Sequence, residues 1–331
     1  MILKQSLDMA KVKQFVGIDI SKLTFDVGMP LDKEGKYRHS KHDNNAPGFL
    51  DFKKCLPSDS VCVMEASGPY YMPLANYLYG QGLEVRVVNP LAVKHFSRMR
   101  MTRAKTDKKD ASLIAEYAKS ENPPIWKPKA EHLIELQQLQ TVIEGFVTRR
   151  AQLSNQREAF TAAGTLKGSA LNIIAKEIKH IESVIKKMEL EMETITKKHH
   201  SEMFAQLKSI PGIGKRTAML LIVITDGFTR FETSKQLVGY IGLCPRIYDS
   251  GTSVRGKQKI CKMGMSRIRA LLYVCAMQAK RYNAACAETF TRLKDRGKNG
   301  KLAIVAVANK LVRQAFAIAT AGKYYEVKLV A

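Results

Sequence analysis

QFVGIDISKLTFDVGMP, residues 14–30, predicts a β-hairpin and with it the fold of the N-terminal part of the chain. Its two halves alternate apolar side chains with small or polar ones, and Ser21 and Lys22 separate them. A third strand is predicted near residues 36–42. Asp19 lies within the first strand between two isoleucines, where a carboxylate is costly unless a positive group meets it. Asp19 is therefore a candidate functional residue.

Helices and strands alternate after these three strands. The sequence predicts a helix over 49–55, a buried strand over 61–67, a helix over 71–79, a strand over 85–90 and a helix over 106–120, with Thr106 or Asp107 as the N-cap of the last. Three strands followed by alternating helices and strands form a mixed sheet with helices on its faces. This order is the layout of the ribonuclease H-like fold, so we expect an α/β domain followed by an α-helical part.

Helical periodicity dominates after a proline-containing linker at 122–128. Residues 131–200 have apolar side chains at helical spacing with one break near 164–168, which predicts two long helices that form an antiparallel hairpin or pair with another subunit. More helices are predicted near 233–241, 266–286 and 301–321. We therefore divide the chain into an α/β domain (1–125), a coiled-coil segment for oligomerisation (126–200) and a mainly helical C-terminal domain (201–331).

The charge of the chain indicates a polyanionic partner. The 331 residues have a formal net charge of +24, and residues 201–331 contain 23 basic and 7 acidic side chains. A folded domain with this much positive charge most often binds nucleic acid, although a solubilising surface is the simpler alternative.

Several classes of protein do not fit the sequence. No unbroken apolar run approaches the ~20 residues that span a bilayer, and the N-terminus lacks the apolar stretch of a signal peptide. The six cysteines form no Cys-x-x-Cys pair, which argues against a zinc finger. We expect a cytoplasmic protein that has no membrane partner.

Four carboxylates form the first candidate site. Asp19 and Glu65 lie on buried strands, and Asp107 and Asp110 lie one turn apart at the start of a helix. Such oxygen ligands suit a pair of Mg²⁺ ions about 4 Å apart, with phosphate and water completing each octahedron.

Each of these carboxylates also has a simpler interpretation. Asp107 is a common kind of N-cap, Asp110 compensates a helix dipole, and Asp19 could lie at a strand edge in water. The motif GIDIS also begins the actin-like sugar-kinase fold, which would require further glycine-rich phosphate loops.

A serine among cations forms the second candidate site. An Asp249-Ser250-Gly251 turn exposes a hydroxyl, which needs a base or a metal before it can act as a nucleophile. Basic side chains around it suit a phosphodiester; they are Arg246, Arg255, Lys257, Lys259, Lys262, Arg267 and Arg269. Ser253 is an equally exposed rival, and on these residues alone a plain turn remains the better interpretation.

Two further segments are candidates for nucleic-acid binding. PGIG at 211–214 resembles the turn of a helix-hairpin-helix motif, whose backbone amides hold a phosphate, but it is also a common helix-breaking turn. Its candidate contacts are Gly212, Gly214 and Lys215. The basic, loop-like run 86–109 could hold a nucleic-acid backbone beside the carboxylates. Its candidate contacts are Arg98, Arg100, Arg103 and Lys105.

Seven motifs in order resemble those of the IS110 (IS-one-ten) family of insertion-sequence transposases, which includes the Piv and MooV type DNA invertases. They are GIDISK, MEASGPY, VVNP, KTDKKDA, SIPGIGKRTA, YIGLCPR and YDSGTSVRGK, and the match extends from about residue 14 to about residue 320. Seven motifs in register are specific, and they remove the sugar-kinase alternative.

The resemblance implies a RuvC-like domain whose Asp-Glu-Asp-Asp tetrad is Asp19, Glu65, Asp107 and Asp110, with Mg²⁺ as its cofactor. It also implies a C-terminal transposase domain whose nucleophilic serine is Ser250. Ser67 stands where many members have threonine. Members of the family are similar to recombinases guided by a noncoding bridge RNA that pairs with target and donor DNA.

The expected reaction is attack of Ser250 on a DNA phosphodiester, which gives a phosphoserine link and a free 3′ hydroxyl. We also expect a homodimer or tetramer, because the tetrad and the serine lie on separate domains and their composite site can form between subunits. One alternative is a metal-dependent RuvC-like nuclease or Holliday-junction resolvase that uses water as nucleophile. A nucleic-acid-binding protein without enzymatic activity is the third possibility.

Overall fold

A computed structural model describes residues 13–31, 35–101, 106–165, 167–246, 249–250, 254–255 and 259–326, with the backbone alone at 249–250, 254–255 and 259. The chain divides into two units, Met1–Pro128 and Lys129–Ala331, each with its own core.

The first unit is built on a five-stranded mixed sheet with the strand order β3-β2-β1-β4-β5. The strands are β1 Gln14–Ile20, β2 Thr24–Pro30, β3 Tyr37–Asp43, β4 Ser60–Glu65 and β5 Glu84–Val88. β2 is antiparallel to β1 and to β3, whereas β4 is parallel to β1 and to β5. The predicted hairpin and mixed sheet are therefore present, and they fit the expected RuvC-like α/β domain.

Helices cover both faces of this sheet. They are α1 Ala46–Cys55, α2 Met72–Gly80, α3 Pro90–Met99 and α4 Asp107–Glu121. One core cluster lies beneath α1 and α2, and a second includes side chains of α3 and α4. Since β4 is covered on both faces, its side chains are apolar and buried from Val61 to Met64 rather than alternating.

Helix α3 corrects the expectation that 86–109 is loop-like. Asn89 caps this helix by accepting a hydrogen bond from the backbone N–H of Leu91, and Pro90 occupies the first helical position. Val93 and Phe96, three residues apart, bury one face of the helix. The basic side chains lie on the exposed face of this amphipathic helix, and this is why the segment resembles a loop in sequence.

The second unit begins with two long helices, α5 Glu131–Ala162 and α6 Gly168–Lys208. They pack against each other within the chain, and their buried side chains join the core of the C-terminal helices. The predicted segment boundary at 200/201 falls inside α6, at a kink where His200 has φ −137° and ψ 36°. The division of the chain into three segments stays a prediction.

The C-terminal helices include one that is buried along most of its length. They are α7 Lys215–Thr225, α8 Ser234–Ile241, α9 Ser266–Tyr282, α10 Ala284–Asp295 and α11 Gly300–Ala321. Every side chain of α7 from Thr217 to Thr225 is buried. The single helix predicted over 266–286 is interrupted at Asn283, whose side chain accepts a hydrogen bond from the N–H of Cys286 and caps α10.

Helix α11 is the one described helix that is long and apolar enough to cross a membrane. Half of its most apolar window is buried, and Val307, Leu311 and Ala315 lie in the core of the unit. These contacts are those of a core helix in a globular domain. The cytoplasmic location stays a prediction.

Two short strand pairs interrupt the helical region. β6 Pro245–Arg246 pairs with β9 Lys259–Ile260, and β7 Asp249–Ser250 pairs with β8 Val254–Arg255, both antiparallel. The predicted Asp249-Ser250-Gly251 turn is therefore wrong for Ser250, which lies on a strand. Residue 251 falls outside the described residues.

Candidate active site

Two of the predicted carboxylates lie on adjacent parallel strands. The register of β1 and β4 pairs Ile18 with Met64, so the next residues, Asp19 and Glu65, lie at the carboxyl ends of neighbouring strands. Both side chains are half-buried. Side chains at this edge of a parallel pair face a common space, which is where α/β sheets place functional groups.

Helix α4 supplies the other two carboxylates. Thr106 is its N-cap and accepts a hydrogen bond from the N–H of Lys109, so Asp107 is the first helical residue rather than the cap. Asp107 is exposed and Asp110 is half-buried. At this helix N-terminus the macrodipole favours negative charge.

A glycine in β1 allows α4 to lie against the sheet. An added Cβ at Gly17 would be 2.0 Å from the carbonyl oxygen of Ala111 and 2.6 Å from the backbone nitrogen of Ala115. No side chain fits in that space, so only glycine permits this approach. Gly17 lies two residues before Asp19, and Ala111 lies one residue after Asp110. The contact is therefore next to both carboxylates in sequence.

The electrostatics show that Asp19 lies near the other three carboxylates. Burial, and after it the negative charges of Asp110, Asp107 and Glu65 in that order of size, raise the pKa of Asp19 from 3.8 to about 6. Repulsion of this kind requires short separations in a medium less polar than water. The structure therefore places the other three predicted carboxylates within electrostatic reach of Asp19.

A fifth carboxylate, Asp26, was not predicted. It lies on β2 directly opposite Asp19 in the antiparallel register, and its charge also raises the pKa of Asp19. The Nζ of Lys41 lies 3.5 Å from Asp26 Oδ2. The sequence of the hairpin indicates this position of Asp26, because a turn centred between Lys22 and Leu23 pairs residue 19 with residue 26.

The four predicted carboxylates suit a hard divalent cation, although they are not arranged as a complete ligand shell. Carboxylate oxygens are the ligands that Mg²⁺ prefers, and their mutual repulsion favours a cation among them. Within the part of the chain that the structure describes, no three His, Cys, Asp or Glu side chains are close enough to hold one ion. Binding by Asp19, Glu65, Asp107 and Asp110 would therefore require these side chains to move closer together.

Ser250 lies in the second unit, on β7, where it pairs with Val254. Asp249 pairs with Arg255 in the same ladder, so one candidate cation lies across from the residue before the serine. Arg246 on β6 and Lys262 after β9 are exposed. Lys259 lies on β9, while Lys257 and the rival Ser253 fall outside the described residues.

Two of the predicted cations are bound by the protein itself. Arg267 donates a hydrogen bond to the carbonyl oxygen of Glu144, contacts the hydroxyl of Thr148 and lies 3.5 Å from the carboxylate of Glu144. Arg269 donates to the carbonyl oxygen of Ile241 at 3.0 Å, where it compensates the C-terminal end of α8. Both belong to the first turn of α9, so in this structure they hold helices together.

The turn at 211–214 is also used for packing. Gly212 has φ 102°, and a Cβ there would lie 2.7 Å from the Cβ of Ala279 in α9. Lys215 forms an ion pair with Glu193 at 3.0 Å. Gly214, the exposed N-cap of α7, has no side chain and leaves the end of the helix accessible.

The basic segment near α4 is described in part. Arg98 and Arg100 are exposed at the C-terminal end of α3, and the guanidinium of Arg100 lies 5.3 Å from the ring centre of Phe96. Arg103 and Lys105 fall outside the described residues.

Comparisons with known proteins match both units. A family model described as a transposase, the DEDD type of IS110, matches residues 16–161. A second, described as the transposase IS116/IS110/IS902 family, matches residues 205–292. The first match contains the four carboxylates of the tetrad, and the second contains Ser250.

Full-length relatives are similar along nearly the whole chain. The pilin gene-inverting protein of Moraxella lacunata is 30% identical over 92% of this chain and 95% of its own length. The transposase for insertion sequence element IS1328 of Yersinia enterocolitica is 24% identical over 94% and 98%, respectively. The transposase for insertion sequence element IS1111A of Coxiella burnetii is 26% identical over 81% and 78%.

Proposed function

Since this chain belongs to the IS110 family of transposases and is a DNA transposase or recombinase, we propose that it cuts and rejoins DNA through a phosphoserine intermediate at Ser250. The observation on which this proposal rests is the cluster of carboxylates around Asp19, where burial and then their negative charges raise the pKa of Asp19 to about 6. Such a cluster is destabilising for the fold, and its use in phosphoryl-transfer chemistry explains why the chain contains it.

The tetrad would hold Mg²⁺ through Asp19, Glu65, Asp107 and Asp110. When bound, Mg²⁺ would neutralise the carboxylates and stabilise the charge that develops at phosphorus. The raised pKa of Asp19 supports this assignment, because carboxylates that repel one another favour a cation among them.

Ser250 would supply the nucleophile. Its Oγ forms a bond to phosphorus, its proton passes to a base, and the bond from phosphorus to the 3′ oxygen breaks to leave a 3′ hydroxyl. Strand exchange follows, and attack of a 3′ hydroxyl on the phosphoserine rejoins the DNA. The covalent link conserves the bond energy, so no ATP is needed.

The tetrad and Ser250 belong to different units of the chain. We expect assembly of a dimer or tetramer on DNA to complete the active site, which would make cleavage depend on correct assembly. Full-length similarity to a pilin gene-inverting protein and to transposases supports DNA as the substrate.

A noncoding bridge RNA that pairs with target and donor DNA is the proposed guide. The support for it is the family resemblance and the surplus of 23 basic over 7 acidic residues in 201–331, which suits more than one nucleic-acid strand.

The decisive experiment compares Ser250→Ala with Ser253→Ala on labelled donor and target DNA, in the presence of RNA transcribed from the sequence flanking the gene. We expect the wild type and Ser253→Ala to give a protein–DNA adduct that survives denaturation. Ser250→Ala should lose the adduct and reduce recombination by about 10³-fold or more, because no nucleophile remains.

Asp107→Asn should lose recombination and retain nucleic-acid binding, whereas the exposed Asp43→Asn should retain both.

The outcomes separate the alternatives. Full recombination by Ser250→Ala would contradict the covalent mechanism. If the protein cleaves DNA without forming an adduct, and cleavage depends on the tetrad, the result would favour the nuclease or junction resolvase that uses water. If it binds nucleic acid but never cleaves it, and neither tetrad variants nor Mg²⁺ change the binding, the result would favour a binding protein.

A further inference from the structure

Two cysteines lie side by side at the end of the β6–β9 strand pair, which flanks in sequence the β7–β8 pair that contains Ser250. The register of β6 and β9 pairs Pro245 with Ile260, so Cys244 and Cys261 are the next pair in this ladder. The N–H of Cys261 donates a hydrogen bond to the carbonyl oxygen of Cys244 at 2.9 Å. Their sulfur atoms are 3.1 Å apart, and the thiol of Cys244 donates to the sulfur of Cys261.

This arrangement is close to that of a disulfide. Directly opposite residues in an antiparallel ladder have Cα atoms about 4.5–5.5 Å apart, within the range of about 4.4–6.8 Å that disulfides adopt. A small rotation of both side chains would bring the two sulfurs into bonding distance. Both cysteines are partly exposed and accessible to a small oxidant, whereas Cys62, Cys275 and Cys286 are buried.

We propose that Cys244 and Cys261 are a redox modification site that forms a reversible disulfide below the strand containing Ser250. The oxidant is a low-molecular-weight disulfide of the glutathione type. The Cys261 thiolate attacks one sulfur of the oxidant and releases one thiolate. Cys244, after losing its proton, attacks the Cys261 sulfur in this mixed disulfide and releases the second thiolate, so one disulfide is reduced as the other forms.

The order of the two attacks follows from the hydrogen bond between the thiols. The Cys244 thiol donates to the sulfur of Cys261, so Cys244 is the member of the pair that holds its proton in this contact. The same hydrogen bond, together with burial, raises the pKa of Cys244. Cys261 is thus the first nucleophile and Cys244 the resolving thiol.

The position of the pair connects it to the proposed active site. β6 leads into the segment 247–258 and β9 follows it, so a bond between residues 244 and 261 closes a covalent loop around Ser250. A crosslink of this kind restricts the conformations of the enclosed segment. The effect on DNA cleavage rests on the proposed function of Ser250, whereas formation of the disulfide does not.

The test uses the full-length wild-type chain, equilibrated with glutathione buffers from fully reduced to fully oxidised. Free thiols are then alkylated under denaturing conditions, and tryptic peptides are analysed by mass spectrometry. In oxidising buffers we expect the peptide 236–246 to be linked to the peptide 260–262, and dithiothreitol before alkylation should remove the link. Cys55→Ser, which removes an exposed cysteine in the other unit, should give the same link.

Three results would overturn the proposal. They are alkylation of both peptides in every buffer, a persistent glutathione adduct in place of the link, and protection of both thiols by one retained equivalent of Zn²⁺. Cys244→Ser should accumulate the glutathione adduct on Cys261, as expected when the resolving thiol is missing.

An activity measurement tests the consequence. We expect the oxidised protein to cleave DNA at least threefold more slowly than the reduced protein, with recovery in dithiothreitol and no difference in the double variant Cys244→Ser/Cys261→Ser. Equal rates of both wild-type forms would refute regulation by the pair. If the disulfide forms but neither form cleaves DNA, the proposed function of Ser250 fails and the modification site stands.

Discussion

Asp19 is a half-buried carboxylate in a strand of the core sheet, and the negative charges near it increase the free energy needed to ionise it. Burial and four nearby carboxylates raise its pKa to about 6. Near neutral pH the folded chain therefore keeps Asp19 ionised although the neighbouring carboxylates repel it. Because the folded-state pKa is higher than the unfolded value, the contribution of Asp19 to stability falls as the pH rises from about 4 to about 6 and stays low above that.

Replacement of Asp19 by asparagine should therefore stabilise the first unit while it abolishes recombination. We expect a gain of about 1 kcal/mol at pH 7.5 after allowance for solvent screening, which is a rise in Tm of a few degrees, and little gain near pH 4. Calorimetry at the two pH values measures it. The exposed Asp43→Asn is the control, and a lower Tm for Asp19→Asn at pH 7.5 would contradict the electrostatic explanation.

At the scale of elements, the position of α4 decides whether the tetrad forms. The helix contacts β1 at Gly17, where an added Cβ would be 2.0 Å from a backbone oxygen of α4. The sheet supplies Asp19 and Glu65, the helix supplies Asp107 and Asp110, and this contact sets the distance between the two pairs.

Gly17→Ala should push α4 away from the sheet and separate the carboxylates. Overpacking of this kind costs about 1–3 kcal/mol, and we expect recombination to fall by more than the loss of folded protein accounts for. Denaturant unfolding and a recombination assay on the same preparation measure both effects. Gly80→Ala is the matched control, because a Cβ there contacts nothing within 4 Å; normal activity of Gly17→Ala would show that α4 need not be fixed.

A histidine cluster joins the start of α5 to the kink in α6. The Nε2 atoms of His132 and His200 are 2.9 Å apart, and the ring of His199 stacks on that of His132 with centres 4.1 Å apart. One Nε2 must donate and the other accept, so at least the accepting ring is neutral in this contact. Burial, and then the neighbouring histidines, lower the pKa of His132 and of His200.

The sign of this shift predicts acid sensitivity of the second unit. A histidine with a lowered folded-state pKa binds fewer protons in the fold than in the unfolded chain, so stability falls as the pH drops below about 6.5. The urea midpoint should be lower at pH 5.5 than at pH 7.5, and His200→Gln should show a smaller decrease. His180→Gln, at an exposed histidine on the same helix, should behave as wild type. An equal decrease in all three proteins would exclude the cluster as the cause.

At the scale of the whole molecule, the positive charge divides into side chains that are free to bind and others that the fold uses. Arg246 and Lys262 are exposed near the strand pairs, whereas Arg267 and Arg269 bind backbone carbonyls and Lys215 binds Glu193. The net charge of +24 therefore indicates a polyanionic partner without identifying the contact residues.

Local signals explain which parts of the fold were predictable. The alternation in 14–30 specified the hairpin, and Thr106 specified the start of α4, because strand pleating and helix capping depend on residues close in sequence. The same kind of signal was present at Asn89-Pro90, but the positive charges of 86–109 obscured it. Ser250 was assigned to a turn because Asp-Ser-Gly is turn-like, and its pairing with Val254 placed it on a strand instead.

Local patterns in the sequence predict the mixed sheet and the long helices, and the order of the seven motifs indicates the family. Three contacts appear only in the folded chain: Asp26 lies opposite Asp19, Arg267 binds Glu144, and Cys244 meets Cys261. Periodicity, capping and motif order are properties of neighbouring residues and are present in the chain as written. Distances between side chains far apart in sequence arise only when the elements pack, and they depend on the position of every element between them.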